Sequence, residues 1–262
     1  NNTAVGRRAL YKNLAGNNTA VGYHALYANT TGVNNTAVGM TAGVLITTGG
    51  QNICLGDSSG DQIVGGDTNI TIGYNAGSYT TNLVEGHRNT LIGGYSHTSA
   101  TDSDQQIVMG YNVVGAGDNT FTLGNDSTDS SISFGGTTWT APSDIRLKED
   151  IQDQEAGLAF INALRPVTYR WKKEKDIPEE LNAYAADSEK RTMNDKINHG
   201  FVAQEVKEAI DSHPEIKEGF DMWSEDEADG RQRIGESALI PMLTKAVQEL
   251  SAEIEKLKKE QN

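Results

Sequence analysis

Asn35-Thr36-Ala37-Val38-Gly39 is a five-residue unit that the chain has already used as Asn2-Thr3-Ala4-Val5-Gly6 and as Asn18-Thr19-Ala20-Val21-Gly22. Looser copies follow at Asn52-Ile53-Cys54-Leu55-Gly56 and Asn69-Ile70-Thr71-Ile72-Gly73, then at Arg88 to Gly93, Gln106 to Gly110 and Thr120 to Gly124. The closing glycines stand at 6, 22, 39, 56, 73, 93, 110 and 124, so the spacings are 16, 17, 17, 17, 20, 17 and 14 residues. A period near 17 marks a stacked repeat, because one unit cannot bury its own apolar face whereas a stack makes a continuous core.

Within each copy the residues one and three places before the glycine are apolar, or Thr with an apolar residue: Thr3/Val5, Thr36/Val38, Ile53/Leu55, Ile70/Ile72 and onward to Phe121/Leu123. That is period 2, and it predicts a short strand with this pair on the buried face. Three residues past the glycine a small side chain recurs, as Ala9, Ala25, Ala42, Ser59 and Ala76. The glycines suit positive φ or close approach at a corner, and the asparagines suit αL positions and local turn bonds. Residues 1–125 therefore read as a β-solenoid or β-roll. Aromatic residues are 6% of the chain, so each rung buries little, and association of copies along the long axis would add burial. The pattern alone does not fix how many copies.

Other features of this region read as structural. Triplets such as Asn1-Asn2-Thr3 and Asn17-Asn18-Thr19 match a glycosylation acceptor but recur as turn residues. Cys54, the one cysteine of the chain, fills the slot of Ala4 and Ala20 and reads as a small packing residue; no intrachain disulfide can form. His24, His87 and His97 have no ligand-like spacing, and no Gly-rich loop leads into a helix as nucleotide binding would need. No metal and no cofactor is expected. The Asn-x-x-x-Val/Ile-Gly units followed by a small residue resemble the head repeats of trimeric autotransporter adhesins and the shaft repeats of phage tail fibres. That resemblance implies a trimer.

Composition changes near residue 142. Residues 1–142 hold 23 of the 28 glycines, 4 Lys/Arg and 9 Asp/Glu; residues 143–262 hold 18 Lys/Arg and 27 Asp/Glu, so the two parts carry −5 and −9 of the net −14. So acidic a chain lacks the basic surface that nucleic acid requires. No stretch approaches the roughly 20 apolar residues of a membrane helix, and no signal peptide opens the sequence. The chain begins in mid-repeat without Met and reads as a piece of something longer.

Residues 126–142 form a Ser-, Thr- and Asp-rich junction with a strand-like Ile132-Ser133-Phe134, ending in Trp139 and Pro142. Pro142 favours an extended, non-helical approach to Ser143-Asp144-Ile145-Arg146-Leu147-Lys148. Alone, that hexamer reads as a helix start, with Ser143 or Asp144 capping and Arg146 and Lys148 solvated. Downstream lie Leu164-Arg165-Pro166-Val167-Thr168-Tyr169-Arg170-Trp171, then Gly200-Phe201-Val202-Ala203-Gln204-Glu205-Val206, then a final helix from about Leu239-Ile240-Pro241. In this order the four motifs resemble the endosialidase-type intramolecular chaperone, an auto-processing domain found at the C-termini of phage tail spikes and fibres.

The resemblance implies that residues 143–262 trimerise, guide folding of the shaft and are then cut off between Ser143 and Asp144. The family's serine–lysine dyad falls on Ser143 and Lys148. A Lys in a partly desolvated pocket can lose its proton and act as base for a hydroxyl. Ser143 stands on the acyl side of the bond, so attack on its own carbonyl would close a four-membered ring. Attack from a neighbouring chain, or assistance by the Asp144 carboxylate, stays open, which makes Ser143, Lys148 and Asp144 the candidate catalytic residues.

Elsewhere in residues 143–262, Asp150 to Leu164 predicts a helix with Ile151, Leu158, Ile161 and Leu164 on one side. Strands are expected at Val167–Trp171 and Gly200–Val202, with a helix over Ala203–Ile210. Residues 172–198 and 211–235 read as charged loops, Trp223 being an isolated anchor. Leu243, Val247, Leu250, Ile254 and Leu257 follow the 4, 3, 4, 3 spacing of a coiled-coil seam, and the resemblance implies three strands. Gln204, Glu205, His199 and His213 are weaker candidates for a part in processing.

The expected protein is thus a mainly β, trimeric repeat shaft followed by an α+β chaperone domain that ends in a trimeric coiled coil. Its expected setting is the phage virion tail, made in the host cytoplasm. A host-cell surface receptor, possibly a glycan, would be its partner, without nucleic acid or membrane insertion. The alternative is a bacterial trimeric surface adhesin with no proteolytic activity. A glycan hydrolase is disfavoured, since no paired carboxylates stand in a recognisable context.

Overall fold

A computed structural model describes residues 1–261 and divides the chain into two compact units, Asn1–Glu149 and Asp150–Asn262. In the first, strands β1 (Thr3–Val5), β2 (Thr19–Val21), β3 (Thr36–Val38), β4 (Ile53–Leu55), β5 (Ile70–Ile72), β6 (Thr90–Ile92), β7 (Ile107–Tyr111) and β8 (Thr120–Asn125) stack in chain order. All these pairings are parallel, with equivalent residues in register, as in Ala20↔Ala37 and Ala37↔Cys54. The unit is a β-solenoid. An antiparallel ninth strand, β9 (Thr128–Ser133), folds back on β8.

The inward face is the reverse of the sequence expectation. From β2 to β7 the second residue of each strand is the buried one: Ala20, Ala37, Cys54, Thr71, Leu91 and Val108 have almost no exposure. The flanking pair points outward, leaving Val38 40% and Leu123 50% exposed. The inner slot lies against the recurring Ala25, Ala42, Ser59 and Ala76, all buried, and against Leu26, Ile46 and Ile63. The slot holds Ala, Cys or Thr in β2 to β5 and Leu91 or Val108 in β6 and β7, while the flanking pair is left outside.

The asparagines do more than turn the chain. Asn18, Asn35, Asn52, Asn69 and Asn89 are buried, and each Oδ1 accepts the backbone N–H of the equivalent residue one turn on, at 2.8–3.0 Å. The left-handed position falls on the preceding residue, for example Asn17 (φ 62), Asn34 (φ 59) and Gln51 (φ 59). The corner glycine serves both roles assigned to it: Gly39 has φ +142, and a Cβ there would lie 2.2 Å from the Gly56 carbonyl oxygen.

The second unit holds helix α1 (Leu158–Ala163), strands β10 (Val167–Tyr169) and β11 (Asn198–Gly200), helix α2 (Ala203–Asp211), strands β12 (Trp223–Glu225) and β13 (Gln232–Ile234), and helix α3 (Leu239–Glu260). β10 pairs with β11 and β12 with β13, both antiparallel. Phe160, Val206, Met222, Leu239 and Met242 form the core.

Three expectations are corrected here. The first helix starts at Leu158 rather than Asp150: Gly157 has φ −138 and ψ −122, outside the helical region, and Ile151 is exposed. The helix end instead receives Glu249 of α3, whose Oε2 accepts the Leu158 N–H at 2.8 Å. β11 precedes Phe201, so the second strand is shifted towards the N-terminus. The expected loop over 211–235 contains the β12–β13 hairpin, in which the Trp223 indole N–H donates to Gln232 at 3.1 Å.

Along α3, Leu239, Met242 and Ala246 are buried within the unit. Leu243, Val247, Leu250, Ile254 and Leu257 occupy another face and are exposed.

Candidate processing site

The approach to Ser143 is tied to the end of the solenoid. Thr140 and Ser131 exchange backbone hydrogen bonds, each at 2.8 Å, and the Trp139 ring meets Phe121 edge-on at 5.4 Å. Three residues beyond that clip the chain turns sharply. Ile145–Leu147 form one 3₁₀ turn with Asp144 as its N-cap. Asp144 Oδ1 accepts the Arg146 N–H at 2.9 Å, and its carbonyl accepts the Leu147 N–H at 3.0 Å.

This turn brings Lys148 back over Ser143. Lys148 Nζ donates to Ser143 Oγ at 2.7 Å, so the two dyad candidates touch although they stand five positions apart. The capping reading holds, with Asp144 as the cap, and it coexists with the Ser143–Lys148 contact. Residues 141–150 are all exposed. The partly desolvated pocket expected around Lys148 is therefore not provided by this unit alone, because a single short turn has nothing to cover it.

Asp144 is engaged elsewhere. The Arg146 guanidinium donates from Nε to Oδ1 at 3.0 Å and from Nη2 to Oδ2 at 2.6 Å. These side-chain bonds, with the backbone N–H beside them, hold the Asp144 carboxyl below the usual carboxylate range. Arg146 is solvated as expected, its side chain 84% exposed, but it is also paired with Asp144, which the sequence reading did not include.

The weaker candidates take structural positions. Glu205, in the first turn of α2, pairs with Arg165, its Oε2 accepting Arg165 Nε–H at 2.9 Å. His213 Nδ1 lies 2.8 Å from the Ala209 carbonyl oxygen at the end of α2, with its ring edge-on to Phe160. His199 lies on β11, opposite Thr168, and Gln204 stands in the first turn of α2. Neither histidine belongs to the unit that holds Ser143. Cys54 is free and buried, and burial pushes its thiol up to about 11. Among the described residues no group of three His, Cys, Asp or Glu is placed to hold a metal ion, and no helix is long and apolar enough to cross a membrane.

Fold and site together define a β-solenoid joined to a small α/β unit through an exposed serine–lysine turn. In a comparison with protein families, residues 143–213 match the model of a peptidase family described as chaperone of endosialidase. The match begins at Ser143 and ends at His213, so it covers the turn, α1, the β10–β11 pair and α2. That family is one of self-cleaving peptidase domains. No curated protein and no solved structure matched the chain.

Proposed function

We propose that the chain is the C-terminal part of a phage tail fibre or tail spike, whose last domain assembles three copies, assists folding of the solenoid and is released by cutting between Ser143 and Asp144. The observation that carries this reading is the 2.7 Å contact between Lys148 Nζ and Ser143 Oγ, at the residue where the chaperone-family match begins.

The contact suits the following chemistry. Lys148, as free amine, takes the hydroxyl proton of Ser143, and Oγ attacks the Ser143 carbonyl carbon of a neighbouring copy, avoiding the four-membered ring. The C–N bond to Asp144 breaks, and the amine leaves with the proton that Lys148 returns. Water then hydrolyses the ester, giving a carboxylate at Ser143 and restoring the hydroxyl. A neighbouring copy would also supply the desolvation that one chain lacks.

Two apolar surfaces support assembly of copies: the outward strand ladder, including Val38, Ile53 and Leu123, and the α3 seam. Holding three chains in register suits a parallel, non-local β fold, which is slow to form and exposes edges meanwhile. The released fibre would stand on the virion tail and engage a host-cell surface receptor such as a glycan. Denaturing gels with mass spectrometry on wild type, Ser143→Ala and Lys148→Ala test the processing step. Two fragments meeting after Ser143 in wild type alone are expected; an intact wild type chain under all folding conditions would overturn it.

A further inference from the structure

Asp144 and Lys148 are the N-cap and C-cap residues of the same 3₁₀ turn, Ile145–Leu147, so a carboxylate and an amine stand at the two ends of one short turn. In this turn they do not pair. Asp144 gives both oxygens to Arg146 through Nε, Nη2 and the backbone N–H, at 3.0, 2.6 and 2.9 Å. Lys148 instead donates to Ser143 Oγ at 2.7 Å. The ionisable side chains of residues 141–150 are Asp144, Arg146, Lys148, Glu149 and Asp150, and Ser143 is the side chain to which Lys148 donates.

We infer that Arg146 is an insulating residue: by occupying the Asp144 carboxylate it keeps that anion off Lys148 and leaves the amine to the Ser143 hydroxyl. The inference rests on the self-cleavage reading and deepens it. A lysine paired with a carboxylate is held protonated and cannot accept the serine proton. A planar guanidinium meets a carboxylate through two parallel hydrogen bonds, which an ammonium cannot do, so arginine at this place outcompetes Lys148 for the same partner. Arg146 is thus a positioning residue. It touches no reacting atom, and it sets which partner Lys148 keeps.

The test separates insulation from mere support of the turn. The rate at which the two fragments appear is followed across pH for wild type, Arg146→Gln and Arg146→Lys. With Arg146→Gln, Asp144 is free to take Lys148, and cutting near neutral pH should slow by about tenfold for each unit by which the lysine becomes harder to deprotonate. The rate should recover to the wild-type value at high pH, where Lys148 is deprotonated in either protein. Arg146→Lys should lie between the two. A slowing of equal size at every pH, or no slowing, overturns the inference while leaving self-cleavage intact; a wild type that never cuts overturns the reading beneath it. In the uncut Ser143→Ala background, NMR of the Lys148 ε-methylene gives a second measurement. Its titration should move upward when Arg146 becomes Gln, and an unmoved titration also sinks the inference.

Discussion

Asn52 donates its backbone N–H to the side-chain oxygen of Asn35 at 2.9 Å, one full turn of the solenoid away. Its own Oδ1 accepts the Asn69 N–H at 2.9 Å, and its Nδ2 donates to the Gly66 carbonyl at 2.8 Å. Each asparagine therefore satisfies buried backbone groups that a turn of this geometry cannot pair by itself. Asn52→Ala orphans two such groups and should cost about 2–6 kcal/mol at roughly 1–3 kcal/mol each. Asn52→Asp keeps the acceptor for Asn69 but loses the donor to Gly66 and buries a charge, so it should be no milder. Urea unfolding of the three proteins checks this.

Gly39 and Gly16 make a matched pair of tests. A methyl group at Gly39 would stand 2.2 Å from the Gly56 oxygen on a residue with φ +142, whereas at Gly16 nothing lies within 4 Å. Gly39→Ala should destabilise by more than about 2 kcal/mol, since backbone cannot swing away as a side chain can. Gly16→Ala should be neutral or slightly stabilising by thermal melt. Equal effects would refute the view that the corner glycines are needed for close approach.

Asp61 supplies a pH test. Its Oδ1 is buried without a hydrogen-bond partner, and burial raises its carboxyl above the ordinary range, against hydrogen bonds with Ser78 and Gln62 that lower it. A raised folded-state value means that the folded chain holds the proton more tightly than the unfolded chain. The stabilisation is full below the unfolded pKa and is lost as pH rises through the folded one. Asp61→Asn should therefore melt close to wild type at about pH 3 and above it at about pH 8. A constant difference across that range would rule out the titration.

The period of the solenoid was legible because glycine and asparagine each answer a backbone demand that recurs every turn. Which strand face points inward was not. Thr36/Val38 and Ala37 both satisfy alternation, and only the width of the slot facing Ala25 and Ala42 decides between them. In the second unit the helical spacing of Ile151 with Leu158 and Leu164 concealed the break at Gly157. The β12–β13 hairpin hid in acidic sequence, although Asp229-Gly230, with Gly230 at φ 67, is a turn signal. At the junction the resemblance paired Ser143 with Lys148, and the two side chains are in contact. The pairing of Arg146 was not legible, since an arginine after a capping acid reads as a solvated charge until its two hydrogen bonds are seen.

Helix α3 carries two apolar faces, and they can be tested separately. Leu239, Met242 and Ala246 are buried within the unit, while Val247 is 64% and Leu250 42% exposed on the seam. The double substitution Val247→Glu/Leu250→Glu leaves the buried face untouched, and glutamate is a good helix former. It should therefore preserve the helical circular dichroism of the chain. If the seam joins copies, three charged pairs forced together should disperse the assembly, and sedimentation should report the mass of one chain where wild type reports three. Met242→Glu makes the opposite case: it buries an unpaired charge against Phe160 and its neighbours in the core, and should lower the helical signal itself. A wild type that sediments as a single chain would show that the seam faces solvent, and the exposed dyad would then lack the neighbour on which its chemistry depends.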